Sequence, residues 1–266
     1  MKGFAVINTA HEEDVKRKFP FAGKLWGIDR FIGPYKEEDM EFNNCIGTEI
    51  KIPYGFEKSK VKRAYKIGMK MYGYVVSKEY NINYNPFFHH SCLIRALDFL
   101  TVSLGCDLRL GEVVIADAST YEGRNSFRLL LPFARRIILV TDNKKEIMEE
   151  AEHAMINYGT SVAVLEDPVK ASERADAVVI ASDKPHHKYI VDMNRPMLFF
   201  RFFKKPEGRW WFDNVTINFK DYYNLSSIHA QGYVDINNKR PFWISAEKDG
   251  FRIQNIRKEN IIIMNR

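Results

Sequence analysis

Cysteine is scarce and unpatterned. The chain has 3 cysteines in 266 residues, Cys45, Cys92 and Cys106, with no CxxC or Cys/His spacing among them. That argues against a disulfide framework and against a structural zinc site, and it fits a reducing compartment. Long apolar runs are also lacking. The opening MKGFAVINTAHEED meets acids almost at once, and the apolar run at 197–203 is broken by Arg201. We therefore expect neither a secretory leader nor a membrane span, and read the chain as cytoplasmic, with no membrane partner. There is no internal repeat and no low-complexity tract. The excess of 40 Lys+Arg over 34 Asp+Glu gives a net charge of +6, which fits an anionic partner and equally a chain that needs only solubility.

What is present is the composition of a folded chain: 45% hydrophobic, 28% charged and 14% aromatic residues, at a length that buries a core as one large domain or two modest ones. Residues 1–104 read as a mixed α/β N-terminal domain. They open with a strand at 4–7 and a short charged helix near Glu12–Lys18, followed by punctuation at Gly33-Pro34 and Pro53-Tyr54-Gly55. The run KSKVKRAYKIGMK, 58–70, carries six cations and no acid, with Val61, Tyr65 and Met69 at helical spacing. A phosphate or nucleic-acid contact is one reading of it. A solvated helix face is the plainer one, since no base-reading motif accompanies the charge, and we do not expect a nucleic-acid partner. Asn85-Pro86 starts a further helix, with Leu93, Leu97, Leu100 and Leu104 as its buried stripe and Gly105 as its end.

From Glu112 onward, strand-like runs alternate with helical ones: VVIAD, RIILVTD, SVAVLED and ADAVVIAS. Continuous Val/Ile/Leu strands without a polar face indicate a parallel sheet covered by helices on both sides. The helix after the second strand has its apolar stripe at Ile147, Ala151, Ala154, Met155 and Tyr158. Asp142 or Asn143 caps its start and Gly159 ends it. PMLFFRFF reads as a fifth strand. The expected fold is α/β: a doubly wound, mostly parallel Rossmann-like sheet as a nucleotide-binding domain over 105–203, beside the mixed N-terminal domain. A β-rich C-terminal extension over 204–266 completes it, in which RWWFDNVTINF, SSIHAQGYVDI, RPFWISAE and GFRIQNI form an antiparallel meander, with Asn237-Asn238 and Asp249-Gly250 as hairpin signals.

The turn after the first of these strands is D-A-S-T-Y-E-G-R, 117–124. In a dinucleotide-binding unit that turn wraps a pyrophosphate, using backbone N–H groups and a helix N-terminus. If Gly123 takes the third glycine of GxGxxG, Ala118 and Thr120 stand at the other two. Ser119 and Thr120 offer hydroxyls, and Arg124 a phosphate partner. Asp142 ends the second strand, where an acid accepts from a ribose hydroxyl; Lys144 and Lys145 follow it, so a 2′-phosphorylated cofactor stays open. Helix capping alone is the other role for Asp142. The cofactor-binding candidates are thus Asp117, Ser119, Thr120, Gly123, Arg124, Asp142 and, at the exit of the fourth strand, Ser182.

The sequence VVIADASTYEGR…IILVTDNKKE…ADAVVIASDKP resembles the shikimate dehydrogenase, glutamyl-tRNA reductase and methylenetetrahydrofolate dehydrogenase group of NAD(P)-binding domains, over about 104–197. The last family's loop, G-R-S-x-x-V-G, is matched by D-A-S-T-Y-E-G, which keeps Ser119 and Gly123 and has Asp117 for the leading glycine. The resemblance implies NAD or NADP as cofactor. It carries over no catalytic residue. By residue type, Cys92 is a candidate nucleophile and His89 or His90 a candidate acid/base, against the alternative of core packing. Lys66, Lys78 and Tyr74 are further proton-transfer candidates, and His186-His187 a substrate contact. Three functions follow as expectations: an NAD(P)-dependent oxidoreductase of a small-molecule substrate, a non-catalytic nucleotide-binding sensor, and an S-adenosylmethionine-dependent methyltransferase. Homo-oligomerisation is left open.

Overall fold

The computed structural model describes residues 2–20, 32–53, 58–182, 184, 190, 195–200, 210–258 and 261–262. They divide into two compact units, Met1–Phe88 with Ile217–Arg252, and His89–Thr216 with Ile253–Arg266.

The first unit opens with β1 (Lys2–Thr9), α1 (Glu12–Lys18), β2 (Tyr35–Phe42), β3 (Cys45–Ile52), α2 (Lys58–Tyr72) and β4 (Val75–Val76). Its sheet runs in the order β2-β3-β1-β4, with β3 and β4 parallel to β1 and β2 antiparallel to β3. Residues 4–7 of β1 have no exposed surface, as a strand covered on both faces requires. The basic helix forms as expected, and Val61 packs against the core beside it. Lys60, Ala64 and Gly68 are buried, while Tyr65 and Met69 are exposed. The reason is distance: a Cβ on Gly68 would stand 2.7 Å from Val75 Cγ2 and 2.9 Å from Ala5 Cβ. Only a residue without one lets the helix backbone come that close to the sheet, and closeness here outweighs the larger apolar area of Tyr65 and Met69.

α3 (Pro86–Ser103) starts as the sequence indicates, with Asn85 Oδ1 accepting from Phe87 N at 3.1 Å. Leu93, Leu97 and Leu100 are buried, and Leu104, beyond the last turn, is partly exposed.

The second unit is built on β5 (Glu112–Ala116), α4 (Tyr121–Leu130), β6 (Arg136–Val140), α5 (Lys144–Tyr158), β7 (Ser161–Leu165), α6 (Pro168–Ser172), β8 (Ala177–Ile180), β9 (Met197–Phe199) and β10 (Trp211–Phe212). The six strands lie in the order β10-β9-β8-β5-β6-β7 and every neighbouring pair is parallel. Counting β5 as the first strand, this is the 3-2-1-4-5-6 order of the dinucleotide-binding Rossmann fold. β5 and β8 are buried except for Glu112, at the start of β5, each Val and Ile side chain removing apolar surface worth about 1.5–3 kcal/mol when fully covered. α4 packs against β5 and β8, α6 against β5 and β6, and α5 against β7. In α5, Ile147, Ala151 and Ala154 are buried and Gly159 closes the helix in the left-handed region, whereas Met155 and Tyr158 are exposed.

The C-terminal reading needs correction in part. β11 (Asn214–Phe219), β12 (Tyr222–Leu225), β13 (Phe251–Lys258) and β14 (Ile261–Ile262) form a four-stranded sheet with antiparallel β11–β12 and β13–β14 pairs. SSIHAQGYVDI and RPFWISAE, however, are not strands but the helices α7 (Ser227–Ile236) and α8 (Trp243–Lys248). Residues 227–234 are buried all round, so no polar stripe betrays the helical period, and the β-branched content misleads. The local signal was the cap: Ser226 and His229 satisfy each other's backbone in a reciprocal box. Asn237 then ends a helix and does not turn a hairpin.

Candidate functional site

Open α/β sheets take ligands outside the carboxyl ends of their strands, where the strand order reverses. Here that point lies between β5 and β8. The chain leaves β5 through Asp117, which turns in the left-handed region at φ 59°. This is the backbone position that a leading glycine serves, and Asp is among the few other residues that adopt it at low cost. The Asp117 carbonyl accepts from Thr120 N at 3.1 Å and from Thr120 Oγ1 at 2.8 Å. Thr120 caps α4, its Oγ1 accepting from Gly123 N at 3.1 Å. A Cβ on Gly123 would overlap the Asp117 carbonyl oxygen and stand 2.8 Å from Ala118 Cα. Gly123 thus does what the third glycine of the fingerprint does: it lets the helix N-terminus sit directly on the strand exit.

The Asp117 carboxylate is 5% exposed, and a carboxylate so buried needs partners. Ser182 Oγ, just past β8, donates to Asp117 Oδ2, and Lys184 Nζ lies 2.5 Å from Asp117 Oδ1. Lys184 Nζ also donates to Asp142 Oδ2 at 2.8 Å, beyond the end of β6. The exits of β5, β6 and β8 are therefore tied by one ammonium between two carboxylates. Burial works against that ammonium, but the hydrogen bonds and charges of Asp117 and Asp142 outweigh it and raise its pKa above the usual lysine value. Lys184 is a fixed cation at neutral pH, not a base or an amine nucleophile.

Of the cofactor-binding candidates, Asp117 and Asp142 are joined through Lys184, Ser182 is tied to Asp117 by its own hydrogen bond, and Thr120 and Gly123 shape the turn. Ser119 contributes its carbonyl to Arg124 Nε at 3.2 Å. Arg124 itself is drawn toward α5, to Glu146 and to Glu150 Oε1 at 3.6 Å, and Lys144 pairs with Glu166 at 3.0 Å. Asn143, not Asp142, is the N-cap residue of α5, and its side chain makes no capping bond. Lys184 was not anticipated. The signal was there in ASDKP, a cation two residues beyond Ser182 at the strand exit.

The catalytic candidates lie elsewhere in character. Cys92 has no exposed surface, and His89 and His90 are buried. The His90 ring is 4.4 Å from the Phe200 ring and 5.8 Å from that of Tyr121, centroid to centroid. Tyr121 opens α4 and Phe200 follows β9, so His90 belongs to an aromatic cluster beside the same strand exits. Lys66 is exposed, and Tyr74 donates to Asp235 Oδ2 at 2.7 Å, burial and that carboxylate pushing its pKa up. His186-His187 lie outside the described residues. Among the described residues no group of three His, Cys, Asp or Glu is placed to hold a metal, and no helix is long and apolar enough to cross a membrane.

No protein-family model matches the chain, and no curated protein does. Among solved structures it is similar to L-tryptophan dehydrogenase from Nostoc punctiforme, with 11% identity, a TM-score of 0.36, and cover of 94% of this chain and 78% of that one. Shikimate dehydrogenase from Aquifex aeolicus gives 11%, 0.38, 94% and 97% on the same measures. Ornithine carbamoyltransferase from Pyrococcus furiosus gives 14%, 0.36, 93% and 80%. Two are dehydrogenases and one a carbamoyltransferase, so the likeness singles out no activity.

Proposed function

We propose that the chain binds NAD or NADP at the carboxyl edge of its six-stranded sheet and serves as an oxidoreductase of a small-molecule substrate. The observation that carries this reading is the 3-2-1-4-5-6 parallel order with Gly123 seated on the Asp117 carbonyl. The cradle fits the group, because the space that a Cβ on Gly123 would take is what brings the α4 N-terminus, with its favourable dipole for an anion, to the strand exit. In this reading the amides at the start of α4 and the Ser119 hydroxyl hold phosphate oxygens, and the Asp142 carboxylate accepts from a ribose hydroxyl. A bound nicotinamide supplies hydride transfer. The residues of this chain orient it and balance its charge.

A second reading, a non-catalytic nucleotide sensor, is favoured by one observation: Cys92, His89 and His90 are all buried. The methyltransferase alternative shares the doubly wound order but expects an antiparallel closing strand; β10, the sixth strand, runs parallel to β9, and the antiparallel C-terminal strands form a separate sheet. Thermal unfolding in the presence of NAD+, NADH, NADP+, NADPH and S-adenosylmethionine separates the three. A rise in the midpoint with a nicotinamide dinucleotide and none with S-adenosylmethionine is expected; no rise with any dinucleotide removes the proposal. Substrate-dependent oxidation or reduction of the bound nicotinamide then distinguishes enzyme from sensor.

A further inference from the structure

We infer that Lys184 sets the charge of the ligand this site accepts, passing from Asp142 to a ligand phosphate while Asp142 passes from Lys184 to the ligand's ribose. The inference rests on the nucleotide reading above and adds a residue and a rule to it.

The argument starts from charge. The strand exits carry two carboxylates, Asp117 and Asp142, and Glu122 stands in the first turn of α4. A phosphate brought to the same place is repelled unless a cation meets it. Arg124 is engaged by Glu146 and Glu150, and Lys144 by Glu166. Among the described residues, Lys184 is the cation whose ion pairs hold it to the carboxylates of the strand exits.

Exposure then decides which of its two contacts gives way. The Asp117 side chain is 5% exposed and is held by Ser182 as well, whereas the Asp142 side chain is 75% exposed. Giving up an ion pair between exposed groups costs little, and stripping a buried carboxylate of its cation costs much more. The Lys184–Asp142 contact is therefore the one that yields. An ammonium has three N–H donors, enough to keep Asp117 and still meet a phosphate oxygen. Released from Lys184, Asp142 accepts from the vicinal hydroxyls of a ribose. The exchange conserves charge pairing only for a ligand that brings both groups, a ribose and an attached phosphate. A nucleoside brings the first alone, so it gains Asp142 at the loss of the Lys184 contact and gives Lys184 nothing in return.

Calorimetric titration of the full chain with adenosine, AMP and NAD+ tests this, on the wild type, Lys184→Met and Lys184→Arg. In the wild type AMP and NAD+ bind more tightly than adenosine. Lys184→Met lowers the affinity for AMP and NAD+ by about 10- to 100-fold, the loss of one charge-assisted contact, and leaves adenosine bound at least as well, so that the order of AMP and adenosine inverts. Lys184→Arg restores most of the loss for AMP. Equal AMP affinity in wild type and Lys184→Met overturns the inference while leaving the nucleotide reading in place. So does a wild type that binds adenosine as tightly as AMP, a comparison that needs no variant to fold. A wild type that binds none of the three, nor NADP+ or NADPH, removes both.

Discussion

Both units bring helices close to a sheet through glycine, and Gly68 and Gly123 face different neighbours. Gly68 of α2 looks onto the ends of side chains, Val75 Cγ2 and Ala5 Cβ, whereas Gly123 of α4 looks onto backbone, the Asp117 carbonyl and Ala118 Cα. Room at Gly68 requires helix and strands to part, because Ala5 Cβ is fixed to its strand and Val75 is branched; room at Gly123 requires moving a carbonyl that accepts two hydrogen bonds from Thr120. The same economy of space therefore serves packing in the first unit and the shape of a turn in the second.

The charged clusters differ in the same sense. In the first unit Glu49 accepts from Asn8 Nδ2 at 2.5 Å, pairs with Lys51 at 3.0 Å and interacts electrostatically with the buried His229, so its charges are arranged around one strand, β3, and a core helix. In the second unit Lys184 joins three separate strand exits. A cluster that stabilises a fold can be local. One that meets a ligand has to gather groups from across the switch in strand order.

The sharpest break of this comparison is Gly123→Ala. We expect it to destabilise the protein by about 3 kcal/mol, toward the upper end of the overpacking range, and to abolish nucleotide binding, both read by urea unfolding with and without NAD+. Asp117→Ala comes next, at about 2 kcal/mol. It removes the buried partner of Lys184 and places a Cβ-bearing residue without a polar side chain at φ 59°. Asp117→Gly removes the same ion pair but relieves the backbone, so it should fall between wild type and Asp117→Ala.

The first unit is better broken by pH. Burial holds the His229 pKa below its ordinary 6.5, against the pull of Glu49. The unfolded chain therefore binds a proton that the folded chain resists, so the neutral histidine favours folding above pH 6.5 and this contribution is lost as pH falls through the lower folded value. For Glu49, burial pushes the pKa up, but the charges of His229 and Lys51 and the hydrogen bond from Asn8 outweigh it and leave the pKa below 4.5. Its contribution is present above 4.5 and lost further into acid. Urea midpoints should decline from pH 6.5 downward, and His229→Gln should flatten the upper part of that slope while leaving NAD+ affinity at neutral pH unchanged. The smallest effect belongs to Gly68→Ala. Overpacking of about 1–3 kcal/mol against Ala5 Cβ and Val75 exceeds the gain in helix propensity of about 1 kcal/mol, so the urea midpoint should fall by a modest amount.

Much of the second unit was legible because its signals are local and strong. Four runs such as VVIAD and RIILV admit few arrangements other than buried parallel strands, and Gly159 and Asn85-Pro86 mark helix ends by backbone chemistry alone. The two C-terminal helices were not legible, because α7 is buried on all sides and the period that identifies a helix is erased. The inward face of α2 was not legible either, because the decisive quantity is how near Gly68 comes to Ala5, a distance between residues 63 positions apart. At the site, Asp117, Asp142 and Ser182 could be named from their places at strand ends. The link between Asp117 and Asp142 through Lys184 could not, since it depends on the order in which strands lie side by side, and Arg124 was lost to Glu146 and Glu150 on a helix that the loop sequence does not reveal.

The central claim is that a nucleotide lies over the exits of β5, β6 and β8, and amide hydrogen exchange with and without NAD+ addresses it most directly. Slower exchange confined to 117–124, 142–144 and 182–184 is the expected result. Unchanged exchange throughout at saturating NAD+, or slowing found only within Met1–Phe88 and Ile217–Arg252, would contradict it.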